Sequence, residues 1–119
     1  MESKIFKKGE IVFKERSFEQ CMYDMRSGKI GIYSHYGTPD QMLLKVIDEN
    51  GTFGELGLID AVSRSATAVC ISDQAQCVKI TASDFNDYFK DNPIKVLEIM
   101  QQMSQRIREL SDKVEELSK

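Results

Sequence analysis

The segment from Gly51 to Thr67 concentrates the side chains best suited to chemistry: Gly51, Gly54 and Gly57 around Glu55, then Arg64 and Ser65. Glycine lets a backbone approach a ligand closely and present its N–H groups. A short helix starting near Glu55 would turn free amides and the positive end of its dipole toward an anion. Arg64, reaching in from the following strand, brings a planar donor fork that matches phosphate. Ser65 adds a hydroxyl and an amide beside it. A carboxylate does not hold phosphate, but Glu55 can accept a hydrogen bond from a sugar hydroxyl. The set suits a ligand with one anionic phosphate next to a ribose. The same residues would equally serve a plainer arrangement, in which the glycines make turns and Glu55 pairs with Arg64.

Short strands must carry these groups. Ile11-Val12-Phe13, Cys21 to Met25, Lys29 to Tyr33, Met42 to Ile47, Thr67 to Ile71 and Cys77 to Ile80 are rich in β-branched and other apolar residues. Turn chemistry bounds each of them: Lys8-Gly9, Ser27-Gly28, Gly37-Thr38-Pro39-Asp40, Asn50-Gly51 and Ser72-Asp73. Strands at such intervals predict a β sandwich or barrel.

The last third changes period. Ser83 is placed to cap a short helix through Lys90. Asn92 is placed to cap a longer one, with Pro93 at its first position, where a missing N–H is harmless. Met100, Met103, Ile107, Leu110, Val114 and Leu117 then alternate by three and four, the spacing of a coiled-coil seam. A core-facing helix shows a wider apolar stripe, whereas the flanks here are Ser104, Arg106, Ser111, Lys113 and Ser118. The narrow seam predicts a two-fold homodimer through this helix; the competing arrangement folds the helix back on its own domain.

Phe53-Gly54-Glu55-Leu56-Gly57-Leu58, then five residues, then Arg64-Ser65-Ala66-Thr67, resembles the phosphate-binding cassette of cyclic-nucleotide-binding domains. The bacterial catabolite activators and the regulatory subunits of cyclic-nucleotide-dependent kinases belong to that family. The resemblance spans nearly the whole chain: Lys8-Gly9-Glu10 is similar to its opening turn, and Met22-Tyr23 with Ser27-Gly28-Lys29-Ile30 to its second hairpin. Phe85, Asn92-Pro93 and Gln102-Met103 are similar to its helical end.

The resemblance implies a mainly β fold, a jelly-roll β barrel with C-terminal helices, the last of which closes the pocket and dimerises. It implies one domain over 1–119, with a β roll over 1–82, the cassette at 53–67, a helical end over 83–119 and a dimer helix over 93–118. It implies cAMP or cGMP as ligand, with no further cofactor. Arg64 would pair with the cyclic phosphate, Glu55 would hold the ribose 2′-hydroxyl, and Ser65 would contact phosphate. Gly54, Leu56, Gly57 and Ala66 would lie beside them. Where the catabolite activators set a Thr-Ser pair against adenine, this chain has Leu110 and Ser111, which opens the choice of base. Arg16-Ser17 replaces the family's usual Gly-Asp turn, in a loop expected to lie away from the cassette. Regulators of this family carry a helix-turn-helix after the dimer helix, and this sequence stops at Lys119, as a stand-alone sensor or a piece of something larger.

Bulk properties narrow the alternatives. The 119 residues suit one domain, and 41% apolar with 29% charged residues is ordinary for a globular protein. No apolar run reaches the roughly 20 residues of a membrane span, and the polar start shows no signal peptide, so the cytoplasm is the expected compartment. Net charge is −3 without a basic stripe, so this chain is not expected to bind nucleic acid by itself. Cys21, Cys70 and Cys77 are an odd set with no CxxC spacing; two of them fall in apolar, strand-like sequence, where a free Cys is expected as a small core hydrophobe. With His35 as its one histidine, the chain lacks the ligand cluster of a cupin-like metalloenzyme, and it is read as a non-enzyme. The rival to a nucleotide sensor is a dimeric interaction module of the same fold that binds another ligand or none, with a downstream protein partner that the sequence does not name.

Overall fold

The computed structural model describes residues 1–55 and 63–118. The chain divides into two compact units, Met1–Phe85 and Asn86–Lys119. The first holds β1 (Glu2–Lys7), β2 (Ile11–Phe13), β3 (Cys21–Ser27), β4 (Ile30–Ser34), β5 (Met42–Ile47), β6 (Thr52–Phe53), β7 (Thr67–Cys70) and β8 (Gln74–Thr81). They form two antiparallel four-stranded sheets, β1-β8-β3-β6 and β2-β7-β4-β5. Chain neighbours repeatedly fall in opposite sheets, as in a jelly roll, though the described residues leave two open sheets rather than a closed barrel.

Period-two alternation builds the core between them. Cys21, Tyr23 and Met25 of β3 meet Ala75 and Cys77 of β8 and Phe53 of β6 from one sheet; Ile30, Ala68 and Cys70 face them from the other. All three cysteines are buried free thiols. Burial pushes the Cys77 thiol up to about 12, and its Sγ lies 3.4 Å from Met25 Sδ. Gly28 joins β3 to β4 at φ +81, where an added Cβ would run into the Gln74 carbonyl and Ala75.

Two strands escaped the sequence reading. β1 mixes Lys, Ser and Glu with only Ile5 and Phe6, and is held by its ladder to β8. β6 has two residues. At the rim of the second sheet, β5 matches its expected bounds but leaves Met42, Leu43, Leu44 and Val46 exposed.

A 3-10 turn (Ala82–Asp84) leads to α1 (Phe85–Asp91) and α2 (Pro93–Leu117). The first cap is Thr81 rather than Ser83. Asp84 Oδ2 accepts from the Thr81 amide at 3.1 Å and hydroxyl at 2.8 Å, so the turn starts two residues earlier than expected. Asn92 does precede α2, with Pro93 at its start, but its side chain does not cap the helix; Asn92 Nδ2 instead donates back to the Tyr88 carbonyl at 2.8 Å. Among the described residues no helix is long and apolar enough to cross a membrane.

Candidate functional site

Gly54 follows β6 at φ +78, a left-handed backbone that glycine adopts without strain. Its bareness brings the chain against Arg64: a Cβ there would lie 2.8 Å from Arg64 Nη1 and 3.3 Å from Phe13. The Gly54 carbonyl, rather than its amide, is the group in use, accepting from Arg64 Nη1 at 2.7 Å. Arg64 Nη2 donates to the Cys21 carbonyl at 2.8 Å and lies 3.2 Å from Cys21 Sγ. The guanidinium sits 4.3 Å from the centroid of the Phe13 ring, a contact worth about 0.5–2 kcal/mol. Phe13 in turn packs on Phe53 at 5.9 Å, and Phe53 stacks on Tyr23 at 5.2 Å. Arg64 is thereby only 4% exposed.

The carboxylate nearest this arginine is not Glu55. Glu19 Oε1 lies 4.0 Å from Arg64 Nη2 and accepts from Cys21 Sγ at 2.9 Å and Tyr23 Oη at 3.0 Å, while Lys79 Nζ meets Oε2 at 3.2 Å. Partial burial pushes the Glu19 carboxyl up, but the hydrogen bonds from Cys21, Tyr23 and Lys79, with the Lys79 charge, outweigh it and hold it below the usual range. The plainer arrangement, a Glu55–Arg64 pair, is not formed among the described residues. Glu55 is 7% exposed, and its Oε2 is buried without a hydrogen-bond partner, as is Arg64 Nε. One buried anionic oxygen and one buried cationic N–H thus stand open, at a residue adjoining Gly54 and at the arginine docked on Gly54. Buried polar groups are rarely left so.

The loop expected to lie away from the cassette is bonded to it. Arg16 N–H donates to the Arg64 carbonyl at 2.7 Å, and Arg64 N–H to the Ser17 carbonyl at 2.8 Å. Arg64 precedes β7, outside either sheet, and this reciprocal pair fixes its backbone. Arg16 holds φ +72, the conformation for which a glycine is the natural occupant.

Of the expected site residues, Gly54, Glu55 and Arg64 are brought together, Ser65 is exposed and Ala66 is buried. Leu56 and Gly57, with most of the short helix expected from Glu55, lie outside the described residues. Leu110 and Ser111 are exposed on α2 in the second unit. The sequence reading missed Phe13, Glu19, Cys21 and Tyr23. The spacing of Glu19, Cys21 and Tyr23 at i, i+2 and i+4 was a visible sign, since a strand puts such residues on one face.

If Glu19 supports Arg64 in its charged form, stability should follow its titration. A carboxyl depressed in the folded state stabilises fully above its unfolded value of about 4.3 and loses that contribution as pH falls through the folded value. The melting temperature of the natural protein should therefore exceed that of Glu19→Gln at pH 7, and the gap should close toward pH 3. Parallel melting curves across that range would remove Glu19 from this role.

Residues 3–92 match the family model described as "Cyclic nucleotide-binding domain". Over 115 residues the chain is 23% identical to the cyclic AMP receptor protein of Thermus thermophilus, across 97% of this chain and 53% of that protein. It thus spans about half the length of this relative. The crystal structure of Thermus thermophilus catabolite activator protein superposes with a TM-score of 0.82 at 24% identity, covering 98% of this chain and 55% of that one. The EAL enzyme Bd1971 in its cAMP-bound form gives 0.67 at 24% identity, over 96% and 30% of the two chains. Its cGMP-bound form gives 0.68 at 24%, over 90% and 28%. At these identities the structural likeness establishes the fold.

Proposed function

This chain belongs to the cyclic nucleotide-binding domain family, and from that membership we propose that it is a cytoplasmic regulatory domain that binds cAMP or cGMP and acts as a homodimer, without enzymatic activity. The observation that carries the reading is the pair of open buried atoms, Glu55 Oε2 and Arg64 Nε. A cyclic phosphate supplies an acceptor for Arg64 Nε, and a ribose hydroxyl beside it supplies a donor for Glu55 Oε2. Relatives described as a cyclic AMP receptor and as cAMP-bound and cGMP-bound enzyme forms support the ligand class.

Residues 1–119 act as one domain in this reading, with Gly54, Glu55, Leu56, Gly57, Arg64, Ser65 and Ala66 about the phosphate and ribose. Met100, Met103, Ile107, Leu110, Val114 and Leu117 form the dimer seam, and Leu110 and Ser111 are the helix residues offered to the base. Nucleotide binding favours one packing of the helix that begins at Pro93; a few kcal/mol of differential affinity is enough to shift such an equilibrium. The net charge of −3 supports a chain that does not grip DNA itself and signals to a protein partner.

Calorimetric titration with cAMP, cGMP and 5′-AMP as control tests this directly. Saturable heat with one cyclic form and none with 5′-AMP is the expected result. A more focused check is Glu55→Gln. Nucleotide affinity should fall about tenfold as a charged acceptor is lost. The melting temperature of the ligand-free protein should hold or rise, because a buried carboxyl with one oxygen lacking a partner is replaced by a neutral group of the same shape. Unchanged affinity would exclude Glu55 from the site.

One observation favours a second reading, an interaction module that binds no cyclic nucleotide: both Nη atoms of Arg64 already have protein acceptors, Gly54 and Cys21. Absence of heat and of any thermal shift with either cyclic nucleotide would select it.

A further inference from the structure

A cleft of about 530 Å³ opens between two turns of the β unit, lined among others by Lys14, Glu15, Arg16, His35, Tyr36 and Thr67. Apart from the backbone of Arg16, none of these residues has entered the description above as part of the Arg64 pocket. We propose that this cleft is a second anion site, one that takes a small phosphate-class anion independently of the cyclic nucleotide.

Charge and donors come first. The side chains of Lys14 and Arg16 are exposed, and neither has a hydrogen-bond or ion-pair partner among the described residues. They are the two cations of the lining against one carboxylate, Glu15. That carboxylate is held to the backbone, with Oε1 accepting from the His35 amide at 3.1 Å. The His35 ring adds nitrogen donors or acceptors on the opposite turn. A guanidinium and an ammonium on one wall provide the fork and the point charge that phosphate oxygens take up.

The walls are also fixed. Arg16 at φ +72 and His35 at φ +52 both hold left-handed backbones, which side-chain-bearing residues adopt at a cost that glycine avoids. Such positions persist where the surroundings over-determine them, and they gather at ligand sites. Here Glu15 ties the two turns together: its amide donates to the Thr67 hydroxyl at 3.0 Å while its carboxylate holds the His35 amide. The cationic side chain of Arg16 is thus presented from a braced turn rather than a mobile one, which lowers the ordering cost of binding.

The test is a titration of inorganic pyrophosphate into the full chain, followed by amide chemical shifts. Saturable shifts confined to 14–17 and 35–38 are expected. Arg16→Gly suits the left-handed backbone, so the fold should be kept or gain stability while pyrophosphate affinity drops about tenfold. Lys14→Gln, on an exposed side chain, should lower it by a similar factor. Shifts that never saturate or spread over all surface lysines would overturn the proposal, as would binding that survives both variants. Pyrophosphate shifts centred on 54, 55 and 64 would place the anion in the other pocket and overturn it equally. A failure of cyclic nucleotide to bind leaves this result untouched, because the probe and the variants do not involve that site.

Discussion

Arg64→Ala is expected to weaken cyclic-nucleotide binding by about 2–5 kcal/mol, because it leaves a desolvated phosphate without its cationic partner. That is roughly 1.5 to 3.5 decades in Kd. The variant will also be less stable without ligand. Its guanidinium satisfies the Gly54 and Cys21 carbonyls and covers the Phe13 ring, and each stranded buried acceptor costs about 1–3 kcal/mol. Calorimetry must therefore be read beside a melting curve, at a temperature where the variant is folded. Arg64→Lys supplies the second reading: it keeps the charge but cannot reach two acceptors as a fork, so binding should be intermediate. A folded Arg64→Ala protein with the natural Kd would end the assignment.

The second large effect concerns assembly. Ile107→Asp is expected to convert a dimer into monomers in sedimentation velocity. In the single chain Met100, Ile107, Leu110, Val114 and Leu117 all stand exposed along α2. Burying a side chain such as Ile107 against a partner helix contributes about 1.5–3 kcal/mol. An aspartate there removes this twice in a symmetric dimer and adds the cost of desolvating two like charges. Because the position is exposed in the monomer, circular dichroism and the melting of the β unit should hardly change. A dimer that persists would put the interface elsewhere.

Much of this molecule was legible before its coordinates. Met42–Ile47 and Ile11–Phe13 fall on their expected bounds, because an apolar run between turn residues is a local signal. The caps were less well read. Ser83 stands nearer the apolar run, but Thr81-Ala82-Ser83-Asp84 carries the Thr-x-x-acid pattern of a capping box, and the role falls to Thr81. β1 was hidden because its pairing is with β8, seventy residues away, through backbone groups that every sequence possesses.

The site divides in the same way. Gly54, Glu55 and Arg64 stand out by residue type within one short segment, and the resemblance to a phosphate-binding cassette is what gave them their expected roles. What holds Arg64 does not stand out: Cys21 and Glu19 lie 43 and 45 positions earlier, and Arg16 meets it through a main-chain amide. Side-chain type cannot announce a backbone donor. The Arg16-Ser17 loop was placed away from the cassette because nothing in its composition betrays two hydrogen bonds to residue 64.

The rim strand β5 has a consequence for how this protein behaves in a crowd. It is the outermost strand of its sheet, so one row of its N–H and C=O groups faces outward, and Lys45 is the lone charge in Met42-Leu43-Leu44-Lys45-Val46-Ile47. Natural edges are commonly blunted by such a lysine, which resists the approach of a like strand. Protection of this edge then falls to one ammonium group, and salt that screens it shortens the reach of that protection. Association at high concentration that grows with added salt would be the mark of this rim, which lies well apart in sequence from Arg64.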